Sequence, residues 1–133
     1  MLAADLAALV AVHEAAHAVA FHRAGVVVRA VSVVPHRLRL GSVLIDERTG
    51  TPEARAVGHL AGDAASLRWC ERAGLGPHRP SEIDEQLALA ELRRCGGDLG
   101  EARRAAAALV ELEWRVIERL ARRLGQLGRV VID

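Results

Sequence analysis

Lysine and tyrosine are both absent from this 133-residue chain. Without lysine the chain has no Gly-x-x-x-x-Gly-Lys-Ser/Thr phosphate loop, so it cannot by itself carry that kind of nucleotide-driven motor. Aromatics are reduced to Phe21, Trp69 and Trp114, which leaves any core to aliphatics and alanine. The two cysteines, Cys70 and Cys95, form no Cys-x-x-Cys pair, which argues against a thiolate metal site and fits free thiols in a reducing compartment. The net charge of +1 provides no electrostatic footprint for nucleic acid. Eighteen arginines are spread along the chain, and Arg37 and Arg39 flank Leu38 as a solvated strand face would. No uninterrupted apolar run reaches the ~18 residues of a membrane span. The apolar start from Met1 to Val12 carries Asp5 and no basic segment, so it does not read as a signal peptide. The expectation is a single domain over residues 1 to 133, cytoplasmic in location.

Against that background one pentapeptide stands out: His13-Glu14-Ala15-Ala16-His17, a His-Glu-x-x-His signature. Histidines four apart lie one turn apart on one helix face and can reach one metal ion together. The surrounding Leu6, Leu9, Val10, Ala16, Ala20 and Phe21 keep helical spacing, which places both imidazoles on the apolar stripe. Two satisfied core histidines would be the plainer alternative, but buried rings need polar partners, and a shared metal supplies one. Glu14 has no arginine three or four residues away, so it is no ordinary surface ion-pair carboxylate. Zinc is the expected metal, with Glu14 as the group that takes a proton from water.

The rest of the chain reads as a mainly α protein with a small antiparallel β-sheet. A first helix spans residues 3 to 24 and stops at Gly25. Strands follow at 26 to 34 and 38 to 46, with Gly41 a bulge or a point of close backbone approach. A second helix covers 53 to 73. After a Gly- and Pro-rich loop, Ser81 caps a third helix that ends near Cys95. Asp98 caps a single last helix from 99 to 124, with Leu109, Leu112, Val116, Leu120 and Leu124 as its apolar stripe. Glu111 with Arg115, and Glu118 with Arg122, are spaced as exposed helical ion pairs. The end, from Arg129, is a short strand or a loose tail.

A catalytic zinc site takes three protein ligands and leaves one position open. His22, His36, His59, His78, Asp63, Glu71 and Asp84 are candidates for the third. His22 points away on helical geometry, His36 and His78 read as surface residues, and His59 reads as a core or supporting residue. Spacing alone leaves Asp63, Glu71 and Asp84 open. No His-x-x-Gly-x-x-His continuation is present, which excludes the metzincin class.

The order of these segments resembles the peptidase domain of the FtsH-type AAA+ zinc metalloproteases. That family opens on His-Glu-Ala-Gly-His-Ala, where this chain has His13 to Ala18. It continues with a strand ending in Ile-Ile-Pro and then Leu-Gly, where this chain has Val33-Val34-Pro35 and Leu40-Gly41. Its Leu-Gly-Gly-Arg-Ala-Ala-Glu helix is matched by Leu60 to Ser66, and its Ser-Asn-Asp-Leu-x-x-Ala segment by Glu82 to Ala88. Trp114 to Ala121 is similar to its final helix. The resemblance covers most of the chain and implies a zincin-type active-site helix beside a short sheet, followed by a helical bundle. It implies zinc held by His13, His17 and Asp84, with Glu14 as catalytic base. The chain departs from the family at Ala16 (glycine there), Asp63 (arginine) and Ile83 (asparagine), and it contains no ATPase module.

These readings lead to a zinc-dependent endopeptidase-like domain, ATP-independent by itself. It would act on peptides or unfolded chains, with substrate laid along the strand near Leu40 to Leu44 and either a separate delivery partner or a homo-oligomer in support. A non-proteolytic zinc-binding interaction module and a regulatory protease specific for one partner are the alternatives.

Overall fold

The computed structural model describes residues 2–132 and shows a mainly helical α+β fold: five helices and a three-stranded antiparallel sheet. Helix α1 (Ala3–Arg23) runs through the centre. It is long and apolar enough to cross a membrane by length and composition, but 56% of that apolar window is buried inside the fold. Its inner face is built from small residues: Ala11, Ala15, Ala16, Ala18 and Ala20 are all buried, together with Val12, Val19 and Phe21. Helix α2 (Pro52–Ala73) packs on it, capped by the Thr51 side chain and ended by Gly74 in the left-handed conformation. Gly58 and Gly62, one turn apart on α2, face α1. A Cβ at Gly58 would lie 2.2 Å from the Phe21 ring, so glycine there sets how closely the two helices approach.

Strands β1 (Val28–Ser32) and β2 (Ser42–Ile45) form an antiparallel pair with Val31 opposite Val43, and the register shifts between Val28 and Ala30. β3 (Arg129–Val131) pairs with the other side of β1, giving the order β2-β1-β3 and leaving the outer edge of β2 open. The second strand is shorter than its sequence suggests. His36 and Arg39 exchange backbone hydrogen bonds across a tight turn that places Arg37 at φ 55° and leaves Leu38 fully exposed, so extended pairing starts only at Ser42.

Helix α3 (Glu82–Cys95) starts on the Ser81 cap as expected and packs on α2. The last helix is two helices. α4 (Leu99–Leu112) and α5 (Trp114–Leu127) meet at Glu113, whose φ of −101° and ψ of 14° turn the chain. The two halves have different partners: α4 lies on α2 and α5 on α1, and one straight rod could not serve both. The buried positions are accordingly Ala102, Ala106 and Val110 in α4, and Ile117, Ala121 and Leu124 in α5, while Leu112 is 83% exposed. Among the described residues neither anticipated ion pair forms within this segment, and two of its acids pair with other helices instead. Glu111 binds Arg68 at 3.1 Å and Glu113 binds Arg23 at 3.1 Å. Arg68 also stacks over Trp114.

Candidate metal centre

Helix α1 brings His13 and His17 to its α2-facing side, one turn apart with ring centroids 4.6 Å from each other. Their orientation is set from outside α1. The Nδ1 of His17 donates to the carbonyl of Gly58 at 2.8 Å. A carbonyl only accepts, so the proton of neutral His17 sits on Nδ1 and the lone pair on Nε2. The Nδ1 of His13 pairs with the fully buried Ser66 hydroxyl at 2.9 Å, which turns its Nε2 inward as well. The start of α3 supplies the third group. Ser81 Oγ accepts from the Asp84 backbone N–H, and the Asp84 carboxylate projects back to α1.

The result is a near-equilateral triangle. His13 Nε2 and His17 Nε2 are 3.0 Å apart, and Asp84 Oδ2 lies 3.0 Å from the first and 3.1 Å from the second. Two imidazole lone pairs and a carboxylate oxygen facing one point require a cation among them, either protons or a metal. These three residues form a group able to hold a metal ion. Tetrahedral zinc with ligands at ~2.0–2.2 Å holds neighbouring donors about 3.3 Å apart, so the set matches with a slight opening. Of the open candidates, the structure brings Asp84 to both imidazoles and not Asp63 or Glu71. Glu71, His22 and His36 are exposed and do not line the cleft described below.

The electrostatics follow from the same contacts. Burial works to lower the His17 pKa, but the hydrogen bond and charge of Asp84 outweigh it and lift it to about 9. Burial works to raise Asp84, and the hydrogen bonds from His13 and His17 hold it well below the usual carboxylate range. Glu14 is pushed up by burial, with the charges of His17 and His13 opposing. It is 7% exposed and makes no side-chain hydrogen bond among the described residues.

Gly41 explains how a carboxylate fits there. A Cβ at that position would meet Glu14 Cγ at 2.7 Å, Glu14 Oε2 at 2.8 Å and the Ser32 carbonyl at 2.9 Å, so the expected close approach at Gly41 is real. Gly62 does the same for the imidazoles. Its Cβ would fall 2.4 Å from His17 Nε2 and 2.7 Å from His13 Nε2. Ala16, in place of the glycine of the resembled motif, is fully buried in the core.

The triangle and Glu14 open onto a cleft of about 330 Å³, walled by Leu6, Leu9 and Val10 of α1, the 38–45 segment, and Ile83 and Leu87 of α3. His59 stands edge-on to Phe21 at 5.1 Å, and burial drops its pKa to about 4, which makes it a neutral packing ring of the cleft wall. His78 is no surface residue: its side chain is largely buried against Asp63 and lines the same cleft. Gly58, Gly62 and Ser66 were not anticipated as site residues, and Asp63 and His78, both candidates for the third ligand, are instead paired with each other. The two glycines one turn apart inside a helix were the readable signal, because each costs ~1 kcal/mol of helix propensity and so calls for a packing reason. No protein-family model matches this chain, and no curated protein matches it either.

Proposed function

We propose that this chain is a zinc-dependent endopeptidase-like domain of the FtsH peptidase type that hydrolyses unstructured peptides without ATP. The observation that carries the reading is the convergence of His13 Nε2, His17 Nε2 and Asp84 Oδ2 within 3.1 Å of one another, beside an unpaired Glu14 in one cleft. Two imidazoles and one carboxylate suit zinc, and the carbonyl and hydroxyl partners on the far ring nitrogens are the outer contacts that metal-binding histidines use. Zinc bound there supplies Lewis-acid chemistry, lowering the pKa of water to ~7 and polarising a carbonyl.

The chain's own residues do the rest. His13, His17 and Asp84 hold the ion. The open edge of β2 and the adjoining Gly41 to Val43 segment line the cleft, where an extended peptide can add as a further strand. Glu14, kept free of hydrogen-bond partners and raised by burial, takes a proton from the attacking water. It passes that proton to the leaving nitrogen as the C–N bond breaks. This unpaired carboxylate favours an enzyme over an interaction module, since a purely structural metal site has no use for it.

The test is metal analysis of the wild type beside Glu14→Gln and His17→Ala, with cleavage of unstructured peptides measured on each. About one zinc per chain is expected in the first two and none in the third. Glu14→Gln should lose turnover by about 100-fold or more. Equal rates for wild type and Glu14→Gln, or full zinc retention by His17→Ala, refute the reading.

A further inference from the structure

Charge is scarce in the cleft. Among the described residues its mostly apolar lining includes two carboxylates, Glu14 and Asp84, and one guanidinium, Arg39. The carboxylates belong to the centre already described, and Arg39 has no part in it. The sequence suggests a solvated strand face for Arg39, but the structure sets it in the cleft lining, while Arg37 on the same turn stays outside. The side chain is exposed and forms no ion pair among the described residues. Its backbone is pinned: the N–H donates to the His36 carbonyl at 3.0 Å, and the carbonyl accepts from the His36 N–H at 2.9 Å. The turn closed by these bonds holds Arg37 at φ 55°, a strained conformation for a residue with a Cβ, retained where the surroundings fix it. The same turn leads into Gly41, which packs on the Glu14 carboxylate. Burial raises Glu14, and Arg39 is among the positive charges that oppose this, after His17 and His13. The guanidinium therefore stands within electrostatic reach of the base without bonding to it. Arg39 is two residues from Gly41, about 7 Å of extended backbone. A peptide laid in register along this segment has its reacting bond beside Gly41 and Glu14, and a side chain two residues away beside Arg39.

We propose that Arg39 is a specificity-determining residue, selecting substrates with an Asp or Glu about two residues from the bond that is cut, set among apolar residues. This rests on the peptidase reading above. A guanidinium is a permanent cation with five N–H donors, and a carboxylate can take two of them at once. A lysine or arginine in the same place meets a like charge. The apolar surroundings come from Leu38 and Leu40 of the turn and from Ile83 and Leu87 of α3. All four line the cleft and are exposed, so apolar side chains on either side of the acid cover them. Arg39 touches no reacting atom in this role and contributes to binding alone.

The experiment uses the zinc-loaded full chain as wild type, Arg39→Gln, Arg39→Glu and Arg93→Gln. The last removes an exposed charge of α3 that lies outside the cleft. Unstructured peptides carry glutamate, glutamine or lysine in turn on either side of one cleavable bond. Zinc content, kcat and KM are measured for each. Fluorescence anisotropy gives the affinities of the same peptides for Glu14→Gln, with and without Arg39→Gln, so that cutting does not interfere. Wild type should favour the best-placed glutamate over glutamine by about fivefold in KM, the upper scale of an exposed ion pair, with kcat unchanged. High salt should shrink that preference. Arg39→Gln should lose it, Arg39→Glu should turn it toward lysine, Arg93→Gln should keep it, and all should keep zinc. Equal KM for glutamate and glutamine at every position, with wild type active, overturns the inference and leaves the peptidase reading standing. So does a fall in kcat of Arg39→Gln that is the same for all peptides. A zinc-loaded wild type that cuts none of them overturns the peptidase reading. The inference then stands, as binding alone, if Glu14→Gln takes glutamate peptides more tightly and needs Arg39 to do so, and it falls if not.

Discussion

Replacing Gly62 by alanine puts the closeness of α1 and α2 to the test. The added Cβ would lie 2.4 Å from His17 Nε2 and 2.7 Å from both His17 Cε1 and His13 Nε2. Ordinary contact needs about 3.4 Å or more, so the helices must part, or the rings must swing, by roughly 1 Å. Zinc–ligand distances hold to within about 0.2 Å of their ideal values, so a shift of roughly 1 Å prevents the three donors from reaching one ion together. Metal affinity should fall by at least about 100-fold, comparable to the loss of a supporting contact around the ligands. Stability is the weaker readout, because overpacking of ~1–3 kcal/mol is offset by ~1 kcal/mol of better helix propensity.

Gly125→Ala is the internal control. It also lies inside a helix, but nothing stands within 4 Å of its Cβ, so the propensity gain of roughly 0.5–1 kcal/mol should appear unopposed and metal affinity should not move. Competition against a chromophoric chelator measures the affinities, and thermal unfolding of the chelator-stripped protein measures the stabilities. If Gly62→Ala binds metal within threefold of wild type, the two imidazoles do not converge against α2 as described, and the argument for the centre fails.

Three other outcomes follow from the same geometry. Gly41→Ala should displace the Glu14 carboxylate, which its Cβ would crowd at 2.8 Å, so peptide turnover should fall about 10-fold or more with zinc content unchanged. Loss of zinc instead would show that Gly41 shapes the ligands rather than the base. Arg55 and Glu91 form a buried ion pair, and Arg55 also holds the carbonyls of Thr49 and Gly50. Glu91→Ala leaves that guanidinium unpaired and should cost about 3–5 kcal/mol in urea unfolding, whereas a cost below about 1 kcal/mol would show that water reaches the pair. Chelator-stripped protein should lose stability at both ends of the pH range. The His17 pKa is raised to about 9 against ~6.5 unfolded, so its contribution is full below about pH 6.5 and disappears as pH rises through 9. Asp84 is depressed, so its contribution is present above about pH 4 and is lost as pH falls further. Urea midpoints that do not drop between pH 6 and pH 10 would contradict the His17–Asp84 pairing.

What could be read in advance divides by range along the chain. His13, Glu14 and His17 lie within five residues on one helix, and helical geometry alone sets their common face. Asp84 is 67 residues from His17, and from residue type and spacing Asp63 and Glu71 were its equals; only the resemblance selected it. The caps at Ser81 and Asp98 and the close approach at Gly41 were legible because each is a local demand on the backbone. The break at Glu113 was not. No proline or glycine marks it, and it exists because α4 and α5 have separate partners, a fact of tertiary packing. Leu112 then misled the apolar stripe, since its helical phase is right only for an unbroken rod.

Asp63 shows how a local reading can misplace a residue without misidentifying its chemistry. As a third ligand it was a fair candidate, being acidic and next in sequence on α2 to Gly62, which packs against both imidazoles. The structure keeps it beside the centre, 3.8 Å from His13 Nδ1, but turns its two oxygens to His78 and to the Ser81 backbone. With its oxygens turned to those two loop donors, Asp63 is not the carboxylate that meets both imidazoles. Asp84 is free to do so because the loop that Asp63 anchors ends at the cap of its own helix. The choice between the two aspartates is therefore made by the loop from residue 75 to 81. Nothing in that loop's composition states which side chain it will dock against, so this part of the site had to come from tertiary structure.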